Sequence, residues 1–313
     1  MKILIFNQPF PMGEYHLKQA EANHLINAGH EVYLLEQLNG QNYNDEYVQQ
    51  IKDLAPDAMY YGPLDQKTFE VVEQIDCKKI LHMNSKGIFQ NLYEDVVNAK
   101  DKYWTHLMST SKTLHDAAKK VTKNVEHIEY CFSALKEEEC TFDPALAYDC
   151  AFLGQGHHRL TIPEFAQERN IYFSDFQKTP NFNFALYGTG WPHVLPYYKG
   201  VLPAGKIGSL YSSIKCGISV IEGDQHIYGM VNNRYTEMGI CECPIITFNY
   251  KDIDWHGAEE YLNFVSSADE FEKIVNLCVN DDEKIIKKTK DMKKFLQEKH
   301  KVYFEKLEYL LGN

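Results

Sequence analysis

Short apolar runs alternate with segments of helical spacing along the first half of the chain. KILIFN is an almost wholly apolar strand, and the segment 15–29 after it spaces Leu17 and Leu25 at helical intervals before Gly29. Further strands are predicted at HEVYLLEQ, DAMYYG, KKILHMN and VEHIEYCF, and helices near 45–54, 66–76 and 112–122. Strands that alternate with helices predict parallel pairing through right-handed crossovers.

A second alternating series follows residues 133–147, where acidic residues and a proline interrupt the apolar pattern, and we interpret this segment as a linker. Strands are predicted in YDCAFLGQG, NFALYGTGW, CGISVIEG and PIITFN, and helices at IPEFAQERN, KIGSLYSSIK, 232–240, 268–279 and from 283 onward. The predicted fold class is therefore α/β with two tandem Rossmann-like domains, which bind ligands at the carboxyl ends of their strands.

The chain length agrees with two domains, since 313 residues are more than a single domain with one hydrophobic core usually contains. We predict an amino-terminal domain over 1–140, a second domain over 148–290, and a final helix over 291–313. The apolar stripe of that helix ends in Tyr303, Phe304 and Leu307, and no strand follows it.

Charge and composition make several classes of partner and location less favourable. The formal charge of −12 and the pI of about 5.5 disfavour a polyanionic partner such as nucleic acid. No apolar window is long enough to predict a membrane span, and the first residues are too short an apolar run for a signal peptide. Eight scattered cysteines are typical of reduced thiols and indicate a cytoplasmic location.

Candidate chemistry is concentrated in the stretch NNRYTEMGICECPIITF. Asn232 or Asn233 suits a helix N-cap and Gly239 suits the helix end, so that Arg234 and Glu237 lie one turn apart on one face. One interpretation is an exposed ion pair. The other is a ligand phosphate at the helix amino terminus, with Glu237 accepting hydrogen bonds from ribose hydroxyls.

Neither a metal nor another cofactor is predicted. Cys241 and Cys243 have no second pair and no histidine at zinc-ligand spacing, so we interpret them as small apolar side chains in a tight turn. We take no Asp-x-Asp cluster at a strand end as a sign of a metal site.

The ordered series YDCAFLGQG, FALYGTGW, YYKGVLP, LYSSIKCGISV and NNRYTEMGICECPIITF resembles the carboxy-terminal domain of GT-B glycosyltransferases. It is most similar to the group-1-like branch of these enzymes, which includes the spore-maturation glycosyltransferase family CgeB. KILIFN, followed by a turn and a helix ending in AGHEV, is also similar to such enzymes. The resemblance implies that a sugar passes from a nucleotide-sugar donor, a UDP-sugar, to an acceptor in a cleft between the domains, without a metal.

The resemblance also implies residue roles. Backbone near Gly200 and Val201 would face the donor base, and Glu237 would bind the ribose. The positions expected near the diphosphate are Asn233, Arg234, Lys206 and the amides from Tyr228 to Asn232. In such enzymes the last helix crosses back onto the amino-terminal domain, which we expect for 291–313.

Further candidates each have a structural alternative. His82 at the end of KKILHMN is either a general base, a positioning residue for the sugar, or a structural histidine. Gly13 and Glu14 lie on the expected acceptor side or form an ordinary turn. Gly154 and Gly156 would let phosphate approach the backbone, although a Gly-x-Gly pair is a weak signal.

Acceptor and stereochemistry stay open at this stage. The acceptor is a small molecule, a glycan, a protein or modified DNA, and the last is the alternative function suggested by the basic residues Lys112, Lys119, Lys120 and Lys123. A third alternative is a sugar-nucleotide-binding protein without turnover. The best-known retaining enzymes carry two Glu eight positions apart, whereas Gly229 stands eight positions before Glu237.

Overall fold

Two parallel β-sheets with flanking helices form the architecture, which confirms the α/β prediction. The computed structural model describes residues 1–7, 15–36, 44–62, 66–83, 99, 102–120, 122–128, 133, 135–154, 181–191, 195–221, 229, 231–250 and 253–312. Each sheet has six strands, and every pairing between neighbouring strands is parallel.

The first sheet has the strand order β2-β1-β3-β4-β5-β6. Its strands are β1 (Lys2–Asn7), β2 (Glu31–Glu36), β3 (Ala58–Tyr61), β4 (Lys78–Met83), β5 (His106–Ser109) and β6 (Val125–His127). Its helices are α1 (Tyr15–Asn27), α2 (Asp45–Leu54), α3 (Gln66–Glu73) and α4 (Lys112–Ala118). Local signals fix α2, since Asn44 accepts from the amide of Tyr47 at 2.7 Å and Val48 and Ile51 are buried.

The second sheet has the strand order β12-β11-β10-β7-β8-β9. Its strands are β7 (Cys150–Leu153), β8 (Phe184–Tyr187), β9 (Tyr198–Gly200), β10 (Gly217–Ser219), β11 (Ile245–Phe248) and β12 (Asn263–Val265). The helices that follow in the chain are α5 (Ile207–Ser213), α6 (Arg234–Ile240), α7 (Ala268–Val279) and α8 (Glu283–Gly312). In the described residues, no helix is both long and apolar enough to cross a membrane.

The chain divides into two compact units. The first unit comprises 1–130, 227–231 and 301–313, and the second comprises 131–226 and 232–300. These bounds differ from the predicted limits at 140, 148 and 290, because residues 133–147 cluster with the second unit and because α8 is continuous across residue 290.

The segment interpreted as a linker is a packed part of the second unit. It contains two short 3-10 helices, Glu137–Glu139 and Pro144–Leu146. The amide of Asp143 donates to Ser213 Oγ at 2.7 Å, and a Cβ on Gly208 would lie 2.5 Å from the carbonyl oxygen of Glu139. Helix α5 thus packs directly against this backbone, which the acidic sequence did not indicate.

Some element bounds were predicted wrongly. The helix expected over 112–122 ends at Ala118. Gly239 was expected to end the helix, but α6 continues through it to Ile240. The glycine instead allows α8 to pack closely, since a Cβ at this position would lie 2.5 Å from Leu296 Cδ1. The helix expected at IPEFAQERN lies outside the described residues.

Candidate nucleotide-sugar site

The guanidinium of Arg234 brings a positive charge to the candidate site at the start of α6. Arg234 is the first residue of α6, and its Cζ lies 5.5 Å from the centre of the Phe152 ring at the end of β7. Its Nη1 is buried, and among the described residues it has no hydrogen-bond partner. Because a buried donor without a partner costs free energy, an anionic ligand at this position would stabilise the site.

Glu237 lies one turn after Arg234 in α6, and these two described side chains form no ion pair, so the exposed ion pair considered above is not observed. Instead Glu237 is partly buried, and its Oε1 accepts from Asn233 Nδ2 at 2.8 Å. Burial raises the pKa of Glu237 to about 7, while the Arg234 charge opposes that shift. A carboxyl group in this state can accept from or donate to a ligand hydroxyl.

Asn232 positions the start of α6. Its Nδ2 donates to the carbonyl oxygen of Val220 at 2.6 Å, and its Oδ1 accepts from the amide of Arg234 at 3.0 Å. The side chain therefore connects the end of the β10 segment to the helix that carries Arg234 and Glu237. Since α6 has only seven residues, its dipole is short and Arg234 supplies most of the positive charge.

Gly154 brings the end of β7 close to Arg234. A Cβ on Gly154 would lie 2.7 Å from Phe152 Cζ and 3.2 Å from Arg234 Nη2, so the glycine leaves room for the stacked guanidinium. Its carbonyl oxygen accepts from Trp191 Nε1 at 2.8 Å. The structure thus brings together Gly154 and Arg234, which are 80 positions apart in the sequence.

Gly200 and Val201 lie at the carboxyl end of β9. Gly200 has a φ of +88°, a backbone conformation that favours glycine, and its carbonyl oxygen accepts from the amide of Gly188 at 2.9 Å. Val201 is 65% exposed, which leaves an apolar surface at a strand end. A flat base could pack there, so the role implied by the resemblance stays a prediction.

Lys206 is engaged with Asp143. Its Nζ lies 3.0 Å from Asp143 Oδ2 in an exposed ion pair, and the Lys206 cation holds the pKa of Asp143 below its usual value. A role over the donor phosphates would require Lys206 to leave this pair, and it stays a prediction.

Tyr211 was missed by the sequence analysis. It lies in α5, its hydroxyl is buried, and among the described residues that hydroxyl has no partner. Burial raises the pKa of Tyr211, and the negative charge of Glu237 raises it further. The motif LYSSIKCGISV contains Tyr211, but its apolar spacing gave no reason to separate it from the core.

His82 belongs to a buried polar cluster in the first unit. Its Nδ1 lies 3.0 Å from the Tyr60 hydroxyl, which donates to Glu21 Oε1 at 2.8 Å. Tyr303 in α8 donates to the same oxygen, and Lys18 Nζ donates to Glu21 Oε2 at 2.9 Å. Burial, helped by the Lys18 charge, lowers the pKa of His82 well below its usual value, so the imidazole is neutral near pH 7.

The proton positions in this cluster follow from its donors. Because Tyr60 gives its proton to Glu21, its oxygen accepts from His82 Nδ1–H. The Nε2 lone pair is then left free, and Nε2 is buried without a partner among the described residues. This tautomer suits a base, although burial weakens its proton affinity. Gly13, Glu14, Gly156 and Tyr228 lie outside the described residues.

Comparison with known proteins supports a glycosyltransferase architecture. Residues 169–309 match a family model described as glycosyl transferase-like. The structure of HepE from Anabaena in complex with UDP-glucose is 13% identical and has a TM-score of 0.64, covering 99% of this chain and 100% of that one. No curated protein matches the sequence.

Two glucosyltransferases have similar structures. The β-glucosyltransferase of T4 phage is 13% identical, with a TM-score of 0.64 and 99% coverage of both chains. An α-glucosyltransferase in complex with UDP and a 13-mer DNA is 11% identical, with a TM-score of 0.63 and full coverage of both chains. Since these likenesses extend over the whole chain, its fold is the GT-B fold of two tandem Rossmann-like sheets.

Proposed function

We propose that this protein is a glycosyltransferase that transfers a sugar from a UDP-sugar to an acceptor hydroxyl. The observation that carries the proposal is the buried Nη1 of Arg234, which has no hydrogen-bond partner among the described residues, together with the partly buried Glu237. A diphosphate would give this guanidinium an anionic partner, and a ribose would give the carboxyl group hydroxyl partners. The match to a glycosyl transferase-like family and the fold shared with HepE, solved with UDP-glucose, support the same activity.

We assign a separate residue to each step of the proposed transfer. As the bond between the sugar and the diphosphate breaks, negative charge develops on the leaving phosphate, and Arg234 stabilises it. Asn233 orients Glu237 for the ribose through the hydrogen bond between their side chains. In the first unit, His82 accepts the proton of the acceptor hydroxyl at Nε2 as that oxygen attacks the sugar.

Finer assignments follow from the quoted motifs. We place the chain in the branch that includes the spore-maturation CgeB family, on the order and spacing of those motifs.

The seven cysteines that the structure describes are free thiols, which supports a reducing compartment such as the cytoplasm.

Modified DNA is the alternative acceptor that a specific observation favours. Lys112, Lys119, Lys120 and Lys123 are all exposed, and an α-glucosyltransferase of similar fold has been solved with DNA. The net charge of −12 opposes such binding unless this local basic surface outweighs it.

Donor turnover with an acceptor panel tests the proposal. The purified full chain is incubated with UDP-glucose and related UDP-sugars, alone, with glycans, and with duplex DNA that contains hydroxymethylated bases, and released UDP is measured. Release above a heat-inactivated control is expected, and stimulation by only one acceptor class identifies the acceptor. UDP binding without release for any donor would instead indicate a non-catalytic binding protein. Neither binding nor release would overturn the proposal.

A further inference from the structure

Two thiols from distant parts of the chain meet in the second unit, at the opposite end of α6 from Arg234. Cys140 follows the 3-10 helix Glu137–Glu139, and Cys241 follows the last residue of α6. Their sulfur atoms lie 2.9 Å apart although the residues are 101 positions apart. Both are free cysteines.

Backbone packing holds each cysteine in place. The amide of Cys140 donates to the carbonyl oxygen of Glu137 at 3.1 Å, and the amide of Cys241 donates to that of Glu237 at 3.3 Å. Helix α5 lies between their backbones, since a Cβ on Gly208 would lie 2.5 Å from Glu139 O and Cys241 Sγ contacts Gly208 O at 3.7 Å. The contact between the thiols is thus fixed by the fold.

Helix α8 connects the residues beside the two cysteines. Lys293 Nζ donates to Glu242 Oε1 at 3.1 Å, and Gln297 Nε2 donates to Glu137 Oε1 at 2.9 Å. A third contact joins Lys293 Nζ to Glu137 Oε1 at 4.0 Å. These contacts keep a cation close to the thiol pair.

The two thiols differ in accessibility and acidity. Cys140 is partly exposed, whereas Cys241 is 9% exposed. The hydrogen bond from Cys241 lowers the pKa of Cys140, and the Lys293 charge lowers it further against the effect of burial. The hydrogen bond with Cys140 and burial raise the pKa of Cys241. Cys140 is therefore the better nucleophile and Cys241 the buried second thiol.

We propose that Cys140 and Cys241 are a redox-active pair that forms a reversible disulfide by exchange with a low-molecular-weight disulfide such as oxidised glutathione. The Cys140 thiolate attacks one sulfur of the reagent, forms a mixed disulfide and releases one glutathione thiolate. Cys241 then loses its proton to solvent and attacks Cys140 Sγ, which releases the second glutathione. Two protein thiols are oxidised and one reagent disulfide is reduced to two thiols.

Closure of the bond requires little movement, because the sulfurs approach by about 0.9 Å to reach an ordinary disulfide length of about 2.05 Å. The other described cysteines offer internal controls. Cys150, Cys216, Cys243 and Cys278 are at most 4% exposed, and burial raises the pKa of Cys77 to about 12. These thiols are therefore expected to react more slowly.

Peptide mapping tests the inference on the full chain. The protein is treated with oxidised glutathione at mildly alkaline pH, remaining thiols are alkylated, and the digest is analysed by mass spectrometry without reduction. The expected product joins the Cys140 and Cys241 peptides, disappears after dithiothreitol, and forms equally in the Cys77→Ser control.

Variants separate the two steps. Cys241→Ser is expected to retain glutathione on Cys140 as a stable mixed disulfide, and Cys140→Ser is expected to lose both the cross-link and this adduct. Their melting temperatures check that both variants are folded. If the wild-type protein yields alkylated Cys140 and Cys241, or keeps glutathione on Cys140 without forming the cross-link, the inference is wrong. The wild-type result decides the question even if a variant does not fold.

Discussion

The Tyr60 hydroxyl lies 3.0 Å from Nδ1 of His82, and its own proton is directed to Glu21. This pair sets the tautomer in which Nε2 is unprotonated, as a general base requires. The same carboxylate accepts from Tyr303, so the end of α8 contributes to the surroundings of His82 within the first unit.

We expect His82→Gln to lower kcat by about 10²- to 10⁴-fold, because a positioned general base commonly contributes that much. Tyr60→Phe should have a smaller effect in the same direction, because Nδ1–H loses its acceptor and the tautomer is no longer fixed. UDP affinity should change in neither variant. Wild-type kcat in folded His82→Gln would assign His82 a structural role.

The raised pKa of Glu237 predicts a pH-dependent stability. The pKa is about 7 in the folded protein against an ordinary value of 4.5, so between these pH values the folded protein holds a proton that the unfolded chain has released. Stability conferred by this proton is present below pH 4.5 and is lost as pH rises through about 7. Glu237→Gln should therefore melt at a higher temperature than the wild type above pH 7, with the difference shrinking on acidification.

Thermal melts across this pH range check the linkage, with Glu272→Gln as the control because Glu272 is exposed on α7. The control should follow the wild type at every pH. An equal melting temperature for Glu237→Gln and the wild type at alkaline pH would show that the carboxylate is not destabilised by burial.

Gly239→Ala tests the packing of α6 on α8. The new Cβ would lie 2.5 Å from Leu296 Cδ1 and 3.0 Å from Met292 Cγ, so side chains or backbone must shift. We expect a loss of about 1–3 kcal/mol in the free energy of unfolding, measured by denaturant titration. Gly205→Ala is the control, since a Cβ there meets nothing within 4 Å. Equal stability of the two variants would remove packing as the reason for the glycine.

The end of α8 is predicted to be part of the core of the first unit. Tyr303, Phe304, Leu307, Leu310 and Leu311 are all buried. Leu307→Ala should cost about 2–5 kcal/mol in the free energy of unfolding, whereas Val302→Ala, at a residue that is 42% exposed, should stay within about 0.5 kcal/mol. A neutral Leu307→Ala would show that this end of the helix is dispensable to the unit.

Most elements of the fold could be predicted because their signals are local. Helix α2 follows from the Asn44 cap and the spacing of Val48 and Ile51, and β1 follows from one apolar run. Strands β5, β9 and β12, of three or four residues each, were not predicted. The role of Gly239 also escaped prediction, because it depends on a helix that follows much later in the chain.

The candidate site was predictable only in part. Arg234 and Glu237 were singled out from their spacing, but the stacking of Arg234 on Phe152 and the burial of Tyr211 depend on tertiary packing. The ion pair of Lys206 with Asp143 was also hidden, because Asp143 lies in a segment that looked like a linker. The position of His82 at a strand end was visible in the sequence, whereas its burial among Tyr60, Glu21 and Tyr303 was not.

Titration of UDP into the full chain by calorimetry, without added metal and with chelator present, tests the central claim most directly. The account predicts saturable binding to the wild type and at least about ten-fold weaker binding to Arg234→Ala, since a charge-assisted hydrogen bond contributes about 1.5–3 kcal/mol. Lys215→Ala is the matched control, because its exposed cation pairs with Asp281 in the same unit, and it should bind as the wild type does. Equal UDP affinity in Arg234→Ala and the wild type, or no binding to the wild type, would contradict the account.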